Sequence, residues 1–147
     1  MSTVPTLNGQ VIGQAHYATR ALLERAATTL GVEFEQVLVL NALAHGPVER
    51  AQLTQRITST LKVDEQEVRR VLATLVDAKL AQTDPDAATR LRLTDAGHTV
   101  QARIAEATAG ISARLYADIP TDEANAAARA LTLVTQRANA ELAATPA

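Results

Sequence analysis

Residues 64–97 read DEQEVRRVLATLVDAKLAQTDPDAATRLRLTDAG, and the hydrophobic period changes twice within them. From Asp64 to Ala78 the apolar residues Val68, Val71, Leu72, Leu75 and Val76 recur at helical spacing. Asp64 is placed as the N-cap, and Glu67 three residues later forms a capping-box-like pair with it. The opposite face of that helix carries Glu65, Gln66, Arg69, Arg70, Ala73 and Asp77. The next two segments, Leu80–Thr83 and Thr89–Leu93, are too short for helices. The second alternates, with Leu91 and Leu93 on one side and Arg90 and Arg92 on the other. Asp84-Pro85-Asp86-Ala87-Ala88 between them is rich in turn residues, so the pair predicts a small β-hairpin. Thr94 then caps a long helix running to about Ala117, striped by Val100, Ile104, Ala107, Ile111 and Leu115.

Upstream, a first helix is expected from Leu7 to Leu30. Its stripe is Leu7, Val11, Ala15, Ala18, Leu22 and Ala26, with Thr6 as a possible N-cap and Gly31 as the stop. Ile12, Leu23 and Leu30 widen its apolar surface beyond one face, so it needs more than one packing partner. A second helix fits Glu33–Ala44, with Phe34 at its start and Val37, Leu40, Leu43 and Ala44 inward, and is stopped by His45-Gly46-Pro47. A third, from Glu49 to about Thr58, turns Ala51, Leu53 and Ile57 inward, and Thr58-Ser59-Thr60 reads as a turn. Downstream, Pro120-Thr121-Asp122-Glu123 opens a last helix with an N-cap and early acids, as the helix dipole prefers. Its stripe is Ala127, Leu131, Val134, Ala138 and Leu142.

Composition agrees with a mainly helical chain. Of 147 residues, 30 are Ala and 18 Leu, against one Phe, two Tyr and no Trp. Ala and Leu favour helices, whereas aromatics favour strands, so a β-sandwich or barrel is excluded. With no Cys, disulfides, thiolate metal sites, a nucleophilic thiol and thiol-based redox sensing are excluded together. No apolar run approaches a membrane span and the N-terminus lacks a signal-peptide pattern, so a cytoplasmic location with no membrane partner is expected.

Charge is asymmetric. The net charge is −2, yet Arg50–Arg92 holds eight basic and six acidic residues. That excess suits either an anionic partner for the middle of the chain or a merely solvated surface. For catalysis, Ser2, Ser59 and Ser112 lie in a tail, a turn and a helix, without a nucleophile elbow or a phosphate-binding Gly loop, so neither an enzyme nor a cofactor is expected. His16, His45 and His98 are far apart, and Asp95 with His98 makes only two ligands, so no metal site is expected.

Three helices, a turn, a fourth helix and a hairpin, with long helices at both ends, give a mainly α winged helix-turn-helix with a small β wing. Here the chain resembles the MarR family of bacterial transcription regulators, over about residues 7–142. Phe34-Glu-Gln-Val-Leu-Val-Leu40-Asn-Ala-Leu43-Ala-His-Gly46-Pro47 is similar to that family's second helix and its stop. Leu53 and Ile57 match the helix before the turn, Val68–Leu75 the recognition helix, and Leu93-Thr94-Asp-Ala-Gly97 the segment after the wing. The resemblance implies a single domain over 1–147, with a DNA-binding lobe at 33–93 and dimerisation helices at 7–31 and 94–142. It also implies an obligate homodimer that binds double-stranded DNA and responds to a small-molecule effector. Three departures stand out. The chain is longer than the family between Ile57 and Val68, which would set the third and fourth helices differently. Lys79 stands where the family often has Gly, and the wing tip reads Asp86-Ala87-Ala88-Thr89 in place of an Asp-Arg-Arg cluster.

Candidate DNA contacts are Gln66, Arg69 and Arg70 on the recognition helix and Arg90 and Arg92 on the wing. The competing account of the helix is a solvated face with Glu65–Arg69 and Gln66–Arg70 pairs at i, i+4. Arg69 and Arg70 differ by about 100° on the helix, so one should read bases and the other phosphates, and sequence does not say which. His16, Tyr17 and Arg20 are the candidate effector residues, with core packing or a dimer contact as the alternative. The function expected is a ligand-responsive repressor acting on a pseudo-palindromic operator. The alternative is a winged-helix interaction module with weak or lost DNA binding.

Overall fold

The computed structural model describes residues 4–144 and orders them as α1 (Gly9–Thr29), α2 (Phe34–Ala42), β1 (Val48–Glu49), α3 (Arg50–Leu61), α4 (Glu65–Asp77), β2 (Ala81–Asp84), β3 (Ala87–Leu93), α5 (Asp95–Leu115) and α6 (Thr121–Ala143). The chain divides into two units, Met1–Ile111 and Ser112–Ala147.

In the first unit the core is where the helical stripes converge. Val39, Leu40 and Leu43 from the second helical segment meet Leu53 and Ile57 of α3, Val68, Val71 and Leu75 of α4, and Leu91 and Leu93 of β3. Full burial of each such side chain contributes about 1.5–3 kcal/mol. Two expectations about this core are corrected. Ala51 is exposed, and so is Val76, because the buried sector of α4 ends at Leu75.

Asn8, not Thr6, caps α1: its Oδ1 accepts from the Val11 N–H at 2.9 Å. Thr58-Ser59-Thr60 is no turn but the last helical turn of α3, and the Thr58 hydroxyl bonds back to the Gln55 carbonyl at 2.9 Å. The helix continues because Leu61 is a further apolar residue, and it stops at Lys62, whose φ is +59°. The extra residues between Ile57 and Val68 therefore lengthen α3, and only Lys62–Asp64 separates it from α4. Asp64 caps α4 as expected, its Oδ1 accepting from the Glu67 N–H at 2.9 Å.

The predicted hairpin is present, but it is two strands of three. β1 pairs antiparallel with β3, placing Val48 opposite Leu91 and Glu49 opposite Arg90, so the sheet order is β1-β3-β2. β2 and β3 pair with an irregularity at Thr83/Asp84 and leave Pro85 and Asp86 as the tip. Asp84 is buried and its carboxylate accepts from the Asp86 N–H at 3.2 Å, which closes the turn.

α4 ends in a Schellman motif. The Leu80 N–H reaches the Leu75 carbonyl and the Lys79 N–H reaches that of Val76, both at 3.0 Å, with Lys79 at φ +62°. The left-handed position is thus kept although its residue is not Gly. Lys79→Gly is expected to stabilise the protein by about 0.5–1 kcal/mol, since it removes the left-handed penalty of a side chain at some cost in chain entropy. Urea unfolding checks this, and a lower midpoint would contradict it.

The second unit contains the end of α5 and α6. Pro120 occupies the N-cap of α6 without a side-chain bond, so Thr121 is inside the helix, and Asp122 and Glu123 occupy its first turn. No residue of α6 is buried: Leu131, Leu133, Val134 and Leu142 are all exposed. No helix among the described residues is long and apolar enough to cross a membrane.

Candidate nucleic-acid interface

Burial of Val68, Val71, Leu72 and Leu75 turns the other side of α4 outward. Gln66, Arg70, Ala73 and Asp77, at spacings of four, three and four, form the outermost crest, and all four are exposed. Arg69 lies on the flank toward α3. There it lines an open groove of about 980 Å³ with Arg50, Thr54, Gln55 and Thr58.

Both arginines are engaged by carboxylates. Arg69 Nη2 donates to Glu65 Oε2 at 2.9 Å, the i, i+4 pair anticipated from sequence, and its side chain is 70% exposed. Arg70 does not pair with Gln66. Its Nη2 donates to Glu67 Oε1 at 2.7 Å and its Nε to the same carboxylate at 3.1 and 3.2 Å. Nη2 also approaches Glu33 Oε2, at the start of α2, at 3.5 Å. Hydrogen bonding from Arg70 holds the Glu67 carboxyl below the usual carboxylate range, and the same bond raises Arg70. Glu67 therefore faces Arg70 and leaves the capping of α4 to Asp64.

Glu33 is positioned by Gln36. The Gln36 Oε1 accepts from the Glu33 N–H at 2.8 Å, and its Nε2 donates to Thr74 Oγ1 on α4 at 3.0 Å. Gln36 is buried with both amide ends bonded, so it ties the start of α2 to the middle of α4.

On the sheet, Leu91 and Leu93 point into the core and Arg90 points out, as the alternation predicted. Arg90 Nε donates to Glu49 Oε1 at 3.1 Å. Hydrogen bonds from Thr89 and then Arg90 lower the Glu49 carboxyl. Arg92 is half-buried opposite Gln82, beside an open groove shared with Lys79 and Thr94. The carboxylate partners Glu33 and Glu49 were missed by sequence reasoning, being 37 and 41 residues from the arginines they meet.

His16 and Tyr17 are exposed on α1 with their rings edge-on at 5.2 Å. Arg20 bridges α1 to α2: it bonds Glu24 at 2.7 Å and Glu35 at 3.4 Å, and lies 4.5 Å over the Phe34 ring. None of the three lines the nearby apolar cavity of about 120 Å³, which is bounded by Leu23, Ala27, Leu30, Phe34, Val37 and Ile104 among others.

The sequence matches no protein-family model and no curated protein. Solved structures do match. One is the MarR family protein Rv2887 of Mycobacterium tuberculosis in complex with DNA, at 18% identity over 88% of this chain and 98% of that one, with a TM-score of 0.65. Another is the reduced form of MarR from E. coli, at 18% identity over 90% and 95%, with a TM-score of 0.65. A third is CouR from Rhodococcus jostii RHA1 bound to p-coumaroyl-CoA, at 14% identity over 86% and 90%, with a TM-score of 0.73. With nearly whole chains aligned and the same small sheet among six helices, this chain has the winged helix-turn-helix fold of the MarR family regulators.

Proposed function

We propose that this chain is a sequence-specific regulator of transcription that binds double-stranded DNA as a homodimer, acting as a ligand-responsive repressor on a pseudo-palindromic operator. The observation that carries the reading is the outward crest of α4. It bears Gln66 and Arg70, with Arg69 on its flank, on a lobe of the same fold as a protein solved with DNA. A helix in the major groove needs Arg to take guanine and Gln to take adenine. We assign base edges to Arg70 and Gln66, and their place on the crest supports that assignment. Arg69, toward α3, and Arg90 and Arg92 on the sheet take phosphates. The terminal helices, 7–31 and 94–142, hold the dimer, and half-sites lie about one helical turn apart. His16, Tyr17 and Arg20 are the residues we assign to an effector, because Arg20 acts on the helix whose N-cap is Glu33.

The test is selection of an operator from a pool of random 30-bp duplexes, followed by titration at two salt concentrations. Arg70→Ala is expected to weaken operator binding about ten- to a hundredfold and relax preference at one base pair. Arg92→Ala should weaken all sequences alike and reduce the salt slope by about 1. If Arg69→Ala and Arg70→Ala both bind as wild type while remaining folded, α4 is not the reader. The interaction-module reading then replaces this one, and it has its own support in the pairing of Arg69, Arg70 and Arg90 with carboxylates.

A further inference from the structure

The exposed arginines of α4 and the wing share an arrangement that works against phosphate binding. Arg69, Arg70 and Arg90 meet Glu65, Glu67 with Glu33, and Glu49 respectively. Four carboxylates thus face three guanidiniums, a local sum of −1. Affinity for arbitrary DNA comes from cations that neutralise phosphates and release counterions, and these three arginines offer no surplus of them.

Arg70 is the most tightly held. Its Nε and Nη2 both point at Glu67, so one of the two fork edges that can take a guanine is already filled by a carboxylate of the same helix. A phosphate arriving there exchanges one anion for another and is left beside the released Glu67 and Glu33. A guanine presents two uncharged acceptors, O6 and N7, that fit the same fork without that repulsion. The penalty therefore falls on every phosphate and is relieved only where the base edge is right, which is specificity by repulsion of wrong partners. The hydrogen bond from Arg70 lowers the Glu67 carboxyl and so favours its charged form.

We propose that Glu67, backed by Glu33, is a specificity-determining residue that suppresses binding to random duplex DNA by occupying Arg70. The inference rests on the DNA-binding reading above and adds a role for acids that the reading does not need. A clamp that merely orients Arg70 for its base predicts the opposite sign, because its removal would weaken binding.

The experiment compares wild type with Glu67→Gln and Glu67→Ala, each shown folded by its circular dichroism melt. Each is titrated on the random 30-bp pool and on the duplex that wild type selects from it. An exposed ion pair is worth up to about fivefold. With two copies in a dimer, both variants should bind the random pool about tenfold more tightly. Their salt slope should steepen by about 2, one freed arginine per subunit. The ratio of selected to random affinity should fall, and Glu65→Gln should do less because Arg69 is singly bonded. Unchanged or weaker binding of the random pool by both Glu67 variants overturns the proposal, while the DNA-binding reading stands if wild type still selects a sequence. If wild type and variants alike bind no duplex, both fall. If only the variants bind, Glu67 blocks DNA altogether and the specificity role is overturned.

Discussion

Gly97→Ala is expected to destabilise the protein by about 3 kcal/mol or more, although it adds a single methyl group. A Cβ on Gly97 would run into the Leu80 carbonyl oxygen, and would lie 3.0 Å from its carbon and 3.2 Å from Leu93 Cβ. The nearest obstacle is backbone, and that backbone is pinned. The Leu80 N–H is bonded to Leu75 at the end of α4, and the Leu80 carbonyl accepts from the Thr94 N–H, both at 3.0 Å. The Thr94 hydroxyl bonds the Lys79 carbonyl at 2.7 Å and accepts from the Gly97 N–H at 3.0 Å. Gly97 is where the start of α5 crosses the root of the wing, and a methyl group there pushes α4, β2 and α5 apart together. Gly13→Ala is the control. Its Cβ would meet only Tyr17 Cε2 at 3.9 Å in the middle of α1, so it should stabilise by about 0.5–1 kcal/mol. Urea unfolding of the two variants should move the midpoint in opposite directions. A Gly97→Ala midpoint at or above that of wild type would refute the packing described here.

Leu131→Asp combined with Val134→Asp should convert the protein from dimer to monomer at micromolar concentration. In the single chain α6 is 23 residues long with nothing buried. Leu131, Val134, Ala138 and Leu142 lie on one stripe of it, and Leu142 is 68% exposed. A helix that buries no face within its own chain is held mainly by intermolecular packing, since helical propensity alone is marginal in water. The proposed homodimer of the obligate kind, with more than ~2,000 Å² buried, would supply that packing. Two carboxylates in it would be desolvated without partners. Light scattering should give twice 15.6 kDa for wild type and the single mass for the double variant. Binding to the selected operator should fall by about a hundredfold or more, because two half-sites no longer act as one intramolecular event. Wild type that is monomeric at micromolar concentration, or a double variant that stays dimeric, would remove the dimer from the proposed function.

Much of this molecule is written in short-range periodicity. The stripe of α4, its Asp64 cap, the stop at Gly31, the Thr94 cap and the alternation of Arg90 and Arg92 with Leu91 and Leu93 all follow from neighbours within four residues. These features fixed the order of elements, and with it the fold and most of the exposed residues of α4. Local reasoning strayed where two local preferences were close. Thr58-Ser59-Thr60 has the composition of a turn, but α3 runs on through it to bury part of Leu61, and Asn8 outcompetes Thr6 for the first free amides of α1.

Other features had no local signal. Val48 and Glu49 are a strand only because β3 lies beside them, and two residues cannot announce a strand by themselves. The solvated-face alternative paired Arg70 with Gln66, but Arg70 joins Glu67 and Glu33, while Arg90 finds Glu49 across the sheet. Apart from Val76 and the half-buried Arg92, sequence identified which side chains α4 and the wing expose, because burial of the opposite face is set by helix and strand periods. Only the tertiary structure decided which carboxylates those arginines meet, because Glu33 and Glu49 reach them through packing between elements distant in the chain. Charge pairing is set by separation in space, and separation in sequence does not encode it.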